Sequence, residues 1–503
     1  MISISEMVTT QELILLIMMI ILIIMMMNKK NILHGVEKMV FVMLLLFIGT
    51  NIYAQEVVVP LEHNSTLSYY YTNPSLNKAQ GTTKQLLLPF IEDFSSSFGY
   101  PAASHWADSN VYINNDYPYK PPSVNVATFD AIDAKGWVYD HATSYPFTAD
   151  TLTSKAINLS GLSIADSVFM SFCYQPGGIA NSPERDDSLV LQFFIKSKQQ
   201  WKTVWAAEGM KLSDFRNLHG DYFNYVLIQM DSAHFFSDEF KFRFYNYASI
   251  TDYSFPDWGG NVDMWHLDYI FIDKNRSKFD TMINFDVAFR DYPKSLLNDY
   301  FSMPWKQFLS NPAKEMKHDV NIPYSSYYYG LTSTINQKFD INVLTGGASY
   351  VNTSYNYGNL SMPVDSVVIA KPGSGFQSWY FNSITPNYAE FELIAVIAPF
   401  NANEMIVSND TVIFYQRFYN YYAYDDGSAE AGYGLSASNP NTNMKMAYRF
   451  DLNTDDTLQA VSMFFNQTKD QANAIFFNLV VWENNSGQPG DTIYYEEDLK
   501  PVF

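Results

Sequence analysis

The 503-residue chain carries 31 lysines and arginines against 52 aspartates and glutamates, a net charge of −21. That balance leaves no basic footprint to displace counterions from phosphates, which excludes nucleic acid as a general partner. Only 17% of residues are charged while another 17% are aromatic, so this is no disordered acidic tail, and at about 100–200 residues per domain there is room for roughly three or four domains.

The first 54 residues stand apart. Leu13–Met27 is an uncharged run, shorter than the roughly 20 residues that cross a bilayer. Read from Met27, the pattern is that of a secretory signal peptide over 27–54. Lys29, Lys30 and Lys38 outweigh Glu37, Val40–Ile48 is the apolar stretch, and Ala54 is the small residue before the cut. Residues 1–26 then read as a start site placed too early, because Glu6 and Glu12 do not suit the basic end of a leader; the alternative is a real first membrane segment. No cysteine stands directly after the apolar stretch to carry a lipid. Export is predicted, with membrane contact only through the leader.

Residues 55–85, polar and rich in Asn, Ser and Thr, predict a flexible lead-in. From there the signal is β. Ser188–Ile195, Tyr225–Ile228, Glu392–Ile397 and Ile475–Trp482 have the length and composition of strands, and Phe240–Phe244 alternates apolar and charged residues with period two. Turn signals such as Pro176-Gly177-Gly178, Gly259-Gly260-Asn261 and Pro489-Gly490-Asp491 punctuate them. The expected fold is all-β: tandem β-sandwiches over 86–276, 277–410 and 411–503, the last cut short inside its domain. One connecting helix is predicted near 293–309, where Leu296, Leu297, Tyr300 and Phe301 fall at helical spacing. Cys173, the single cysteine, sits in the run Phe169–Tyr174 and reads as strand filler; without a disulfide framework, stability must come from large cores.

A set of phrases links the chain to a known family. These are Leu88-Pro89-Phe90-Ile91-Glu92-Asp93-Phe94, Pro121-Pro122-Ser123 leading to Ala127-Thr128-Phe129-Asp130, and Asp150-Thr151-Leu152-Thr153-Ser154 leading to Ile157-Asn158-Leu159. Gln175-Pro176-Gly177-Gly178, Trp265–Asp273 and Tyr421–Glu430 complete it. Together they resemble the large exported proteins of Bacteroidota that leave by the type IX secretion system. The resemblance implies a first jelly-roll similar to MAM and laminin-G-like modules, further Ig-like sandwiches, and the export machinery as a partner. The family's C-terminal sorting domain has no counterpart here, and the family carries no single biochemical activity.

The resemblance also implies a structural Ca²⁺ in the jelly-roll, between acids near the first and last strands. The matching positions are Glu92, Asp93 and Asp268, and the ion needs six to eight oxygen ligands. Asp425-Asp426-Gly427 and Asp451–Asp456 offer carboxylates too, but the latter lacks the Gly and Glu of an EF-hand loop, so a turn explains it. For ligand binding, Trp258 and Asp257 in a turn-rich loop, with Trp106, are the expected platform for a polysaccharide or other cell-envelope polymer. No catalytic residue is assigned: the eight histidines include no zinc-helix pair, and neither a nucleophile elbow nor a P-loop is present. His266 and Asp268 share a strand face, and a satisfied strand-end histidine is the simpler account. Glu184-Arg185-Asp186-Asp187 reads as a solvated turn. The expected function is an exported surface binding or adhesion protein. The alternatives are a secreted hydrolase with carboxylates on distant strands, or a purely structural matrix component.

Overall fold

The computed structural model describes residues 55–73, 85–250, 259–283, 286–327, 333–345, 353–362, 367–370, 387–399, 404–436, 444–468, 471 and 473–503. The leader falls outside them. Among the described residues no helix is long and apolar enough to cross a membrane. Residues 58–433 and 447–503 form one compact unit that holds both sandwiches and the last hairpin. The described residues of the other unit are 55–57, 434–436 and 444–446.

Strand β1 (Gln55–Val59) leads to helix α1 (Ser65–Thr72). The segment expected to be flexible is thus partly ordered. Asn64 caps α1 by accepting from the Leu67 amide at 3.0 Å, and Leu67 is buried. The first block then runs β2 (Phe90–Glu92), β3 (Tyr112–Asn114), β4 (Val126–Phe129), β5 (Phe147–Thr153), β6 (Phe169–Pro176), β7 (Ser188–Ile195) and β8 (Gln200–Glu208). Helix α2 (Leu212–His219) precedes β9 (Asn224–Gln229), β10 (Phe242–Ala248) and β11 (Trp265–Asp273). One sheet has the order β5-β10-β7-β8; the other has β3-β4-β11-β6-β9, with β2 also pairing β11. This is a two-layer antiparallel sandwich.

Its core follows from the strand period. Along β10, Phe242, Phe244 and Asn246 point inward and Arg243, Tyr245 and Tyr247 outward. Phe244 meets Phe172 of the opposite sheet at 4.9 Å between ring centroids, edge to face. Leu189, Leu191 and Phe193 of β7 and Trp265, Leu267 and Ile270 of β11 fill the same core. Cys173 is buried in β6, as expected of filler. Each such apolar side chain contributes about 1.5–3 kcal/mol on burial.

The second block begins at β12 (Val287–Phe289), followed by the short helices α3 (Trp305–Ser310) and α4 (Pro312–Glu315). It continues through β13 (Ile322–Ser326), β14 (Ser333–Val343), β15 (Thr353–Met362), β16 (Val367–Ala370), β17 (Ala389–Pro399) and β18 (Thr411–Phe418). Its sheets have orders β12-β13-β16 and β15-β14-β17-β18. Because β18 pairs with β17 from Val396↔Thr411 to Ala389↔Phe418, this block extends to Phe418 and past the expected boundary at 410. The helix is also displaced. The amide of Leu296 donates to Gln416 Oε1 at 2.7 Å and that of Asn298 to the Glu315 carbonyl at 2.8 Å. These partners replace a helical turn, and the helix starts only after Pro304.

Beyond it lie β19 (Gly432–Ser436), β20 (Phe477–Asn485) and β21 (Gln488–Leu499). The third block is not a sandwich among the described residues. It comprises β19 and the hairpin β20–β21, with Ile493, Tyr494 and Tyr495 exposed.

Neighbouring residues of β10 give a direct check on the layering. Phe244→Ala should lower the unfolding free energy by about 3–5 kcal/mol, and Tyr245→Ala by about 1 kcal/mol or less. Urea unfolding of the two variants measures both.

Candidate functional site

The three acids expected to hold calcium do not gather into one cluster. Glu92 turns into the first sandwich, where its carboxylate accepts from Trp106 Nε1 at 3.0 Å and the Phe94 amide at 3.0 Å, and bonds His105 Nδ1 at 2.9 Å. Trp106 is therefore core and no platform: it is 2% exposed and stacks on Phe94 at 5.9 Å between centroids. Asp257 and Trp258 lie outside the described residues.

Asp93 and Asp268 face the other way, toward the second block. The cause is a bulge in β11, where pairing with β6 jumps from Asp268↔Cys173 to Phe271↔Ser171 and Tyr269 takes φ 48°. Asp268 and Tyr269 consequently share the outer face while Leu267 and Ile270 both reach the core. Ser123 Oγ donates to Asp268 Oδ2 at 3.1 Å, and Ser95 Oγ to Asp93 Oδ1 at 2.7 Å. Asn409 Nδ2 then bridges the blocks, donating to Asp93 Oδ2 at 3.0 Å and to Asp286 Oδ2 at 2.9 Å. An amide thus occupies the position between these two carboxylates. Burial pushes Asp93 up to about 6 and raises Asp268 and Asp286 well above the carboxylate range. Such groups favour the fold below about pH 4 and withdraw that support as pH rises through their folded values. The junction is closed, hydrogen-bonded and inaccessible. It joins two domains.

His266 is satisfied as well. Its Nδ1 lies 2.9 Å from Thr128 Oγ1 and its Nε2 2.8 Å from the Gly177 carbonyl, with no exposure. At Asp451–Asp456, Asn453 Nδ2 donates to Glu315 Oε1 at 2.8 Å and Gln307 Nε2 to Asp456 Oδ2 at 2.9 Å. That stretch docks against α3 and α4. A cavity of about 540 Å³ near the hairpin is lined mainly by apolar groups such as Val461, Phe464, Phe477 and Leu479, with His63, Gln467 and Lys500 as its polar members.

The open feature is the outer face of the sheet β5-β10-β7-β8. Registers Arg243↔Thr153, Arg243↔Gln192 and Gln192↔Thr203 place four polar side chains in one row across all four strands. Arg243 Nε donates to Gln192 Oε1 at 2.9 Å and Gln192 Nε2 to Thr203 Oγ1 at 3.1 Å. Rings flank the row on both sides. Tyr245 and Tyr247 lie along β10 at 5.6 Å between centroids, and Phe194 pairs with Trp201 at 5.2 Å. The Arg243 guanidinium sits 4.4 Å from the Trp201 ring centroid. All of these rings are half-buried, so each keeps a wet side. The alternation of β10 is visible in its own sequence, whereas its neighbours across the sheet are not.

No protein-family model matches the chain, and no curated protein matches it. Similar solved structures include a non-crystalline cellulose specific carbohydrate-binding module, CBM28, at 11% identity over 38% of this chain and 95% of that one, TM-score 0.22. Another is the CBM22-1-CBM22-2 tandem domain of Paenibacillus barcinonensis Xyn10C, at 8% identity over 71% and 100%, TM-score 0.21. A third is Parabacteroides merdae β-glucuronidase, at 8% identity over 56% and 31%, TM-score 0.20. Likeness this loose bears on neither fold nor ligand.

Burial lowers the His266 pKa to about 4. A depressed histidine supports the fold fully above its unfolded value near 6.5, and that support is lost as pH falls toward 4. Imidazole NMR shifts of His266 should therefore stay those of the neutral ring from about pH 7.5 down to about 5.5.

Proposed function

We propose that this is an exported binding protein that holds a polysaccharide or another cell-envelope polymer on the outer face of the β5-β10-β7-β8 sheet. The observation that carries this reading is the Thr153–Arg243–Gln192–Thr203 row, flanked by Tyr245 and Tyr247 on one side and Trp201 on the other. Sugars present flat C–H faces and rims of hydroxyls. Half-exposed rings take the first, and amide, guanidinium and hydroxyl groups take the second. An open sheet has no end wall, so a chain can lie across it. The acidity of the whole molecule suits a neutral or weakly charged polymer better than a strongly anionic one. Export rests on the leader pattern at 27–54.

The test is calorimetric titration of the full chain with soluble xylan, hydroxyethyl cellulose, laminarin and peptidoglycan fragments. Trp201→Ala and Tyr245→Ala should each weaken the polymer that binds by about tenfold or more, the loss expected of an aromatic anchor. Trp106→Ala, in the core, should act on stability. Equal affinity in wild type, Trp201→Ala and Tyr245→Ala would remove this face from the account.

A further inference from the structure

Three acidic side chains meet where β10 ends and β7 begins. Glu184 and Asp187 lie in the turn before β7, and Asp263 lies in the loop before β11. One carboxylate oxygen of each is within 4.8 Å of the other two. The turn is less solvated than its sequence suggests: Glu184 is exposed, but Asp187 and Asp263 are each 1% exposed.

Few donors serve these oxygens. Ser249 Oγ donates to Asp187 Oδ2 at 3.0 Å, and the Ser249 amide donates to Asp263 Oδ2 at 2.7 Å. Asp187 Oδ1 is buried and accepts no hydrogen bond. Arg185, the nearest base in sequence, reaches Glu208 instead, at 3.5 Å. Among the described residues, no lysine or arginine forms an ion pair with any of the three. Folded proteins rarely leave a buried carboxylate oxygen without a donor, and a cation is one of the few groups that satisfies it.

We infer that Glu184, Asp187 and Asp263 bind one Ca²⁺, with the Ser249 hydroxyl available as a further oxygen ligand. The donor set is all oxygen, which selects a hard cation and disfavours zinc. The exposed Glu184 leaves room for the water ligands a six- to eight-coordinate ion requires. Burial first, and then the neighbouring carboxylates, push Asp187 up to about 6 and Asp263 up to about 9; a bound divalent ion would restore both as carboxylates. The site would also tie the entry of β7 to the entry of β11, that is, one sheet of the sandwich to the other. It is separate from the Asp93–Asp268 junction and independent of the polymer reading.

The test uses the full chain stripped with EDTA, then melted and titrated with CaCl₂, MgCl₂ and ZnCl₂. Calcium should raise the melting temperature and bind with a dissociation constant at or below about 10⁻³ M, the range of extracellular modules. Asp187→Asn, Asp263→Asn and the exposed Glu184→Gln should each weaken that binding. The two aspartate variants should do so by at least about 100-fold, beyond the ~10–100-fold typical of outer-shell changes. Asp426→Asn, in the separate cluster with Asp116 and Glu430, should bind as wild type does. In EDTA, Asp263→Asn should melt no lower than wild type, since burial and the neighbouring carboxylates already hold the metal-free Asp263 carboxyl uncharged near neutral pH and the amide is close to it in shape. The inference is overturned if calcium leaves the wild-type melting temperature unchanged, or if zinc binds in its place. Should both aspartate variants fail to fold, undiminished calcium affinity in Glu184→Gln overturns it equally.

Discussion

The two-residue period of β10 is the constraint on which the first sandwich depends. Phe242, Phe244 and Asn246 must point one way, and Arg243, Tyr245 and Tyr247 the other. The inward set meets Phe172 and its neighbours from the opposite sheet, and that contact fixes the strand's register. Once register is fixed, the outward set has no freedom left. Gln192 and Thr153 fall beside Arg243, and Trp201 lands under its guanidinium. Slipping β10 by one residue would bury a charge and expose the core rings. The same packing that holds the fold together therefore builds the open face.

A second device, the bulge in β11, does the opposite work. It turns Asp268 and Tyr269 both outward, into a space closed by Asp286 and Asn409 of the second block. Acids in that position are not available to solvent. They meet amide and hydroxyl donors and make the contact between blocks specific, because partner groups from residues 93, 123, 268, 286 and 409 must all arrive together. Stripping any of these acids of its donors there costs about 1–3 kcal/mol.

Much of the architecture was legible from sequence because it is local. Ser188–Ile195 is a strand in sequence and in structure, and Cys173 is buried filler. What depended on distant partners was not. Trp106 was expected on the ligand platform, yet Glu92 and Phe94, with Phe90 and Phe242, hold it in the core. Leu296, Leu297 and Tyr300 have helical spacing, yet Gln416, more than a hundred residues on, takes the amide that a helix would have used. The turn Glu184–Asp187 read as solvated because Asp263 is remote in sequence. The polar row on the open sheet was invisible for the same reason: it is a property of four strands in register and of no one of them.

The rings and polar row of this face are the proposed seat of the polymer. Hydroxyl-radical footprinting of the full chain, with and without the polysaccharide it binds, reads those side chains directly. Trp201, Tyr245 and Tyr247 should lose reactivity in the bound state, while Trp106 stays unreactive in both. A bound polymer that leaves all three rings as reactive as before would contradict the account.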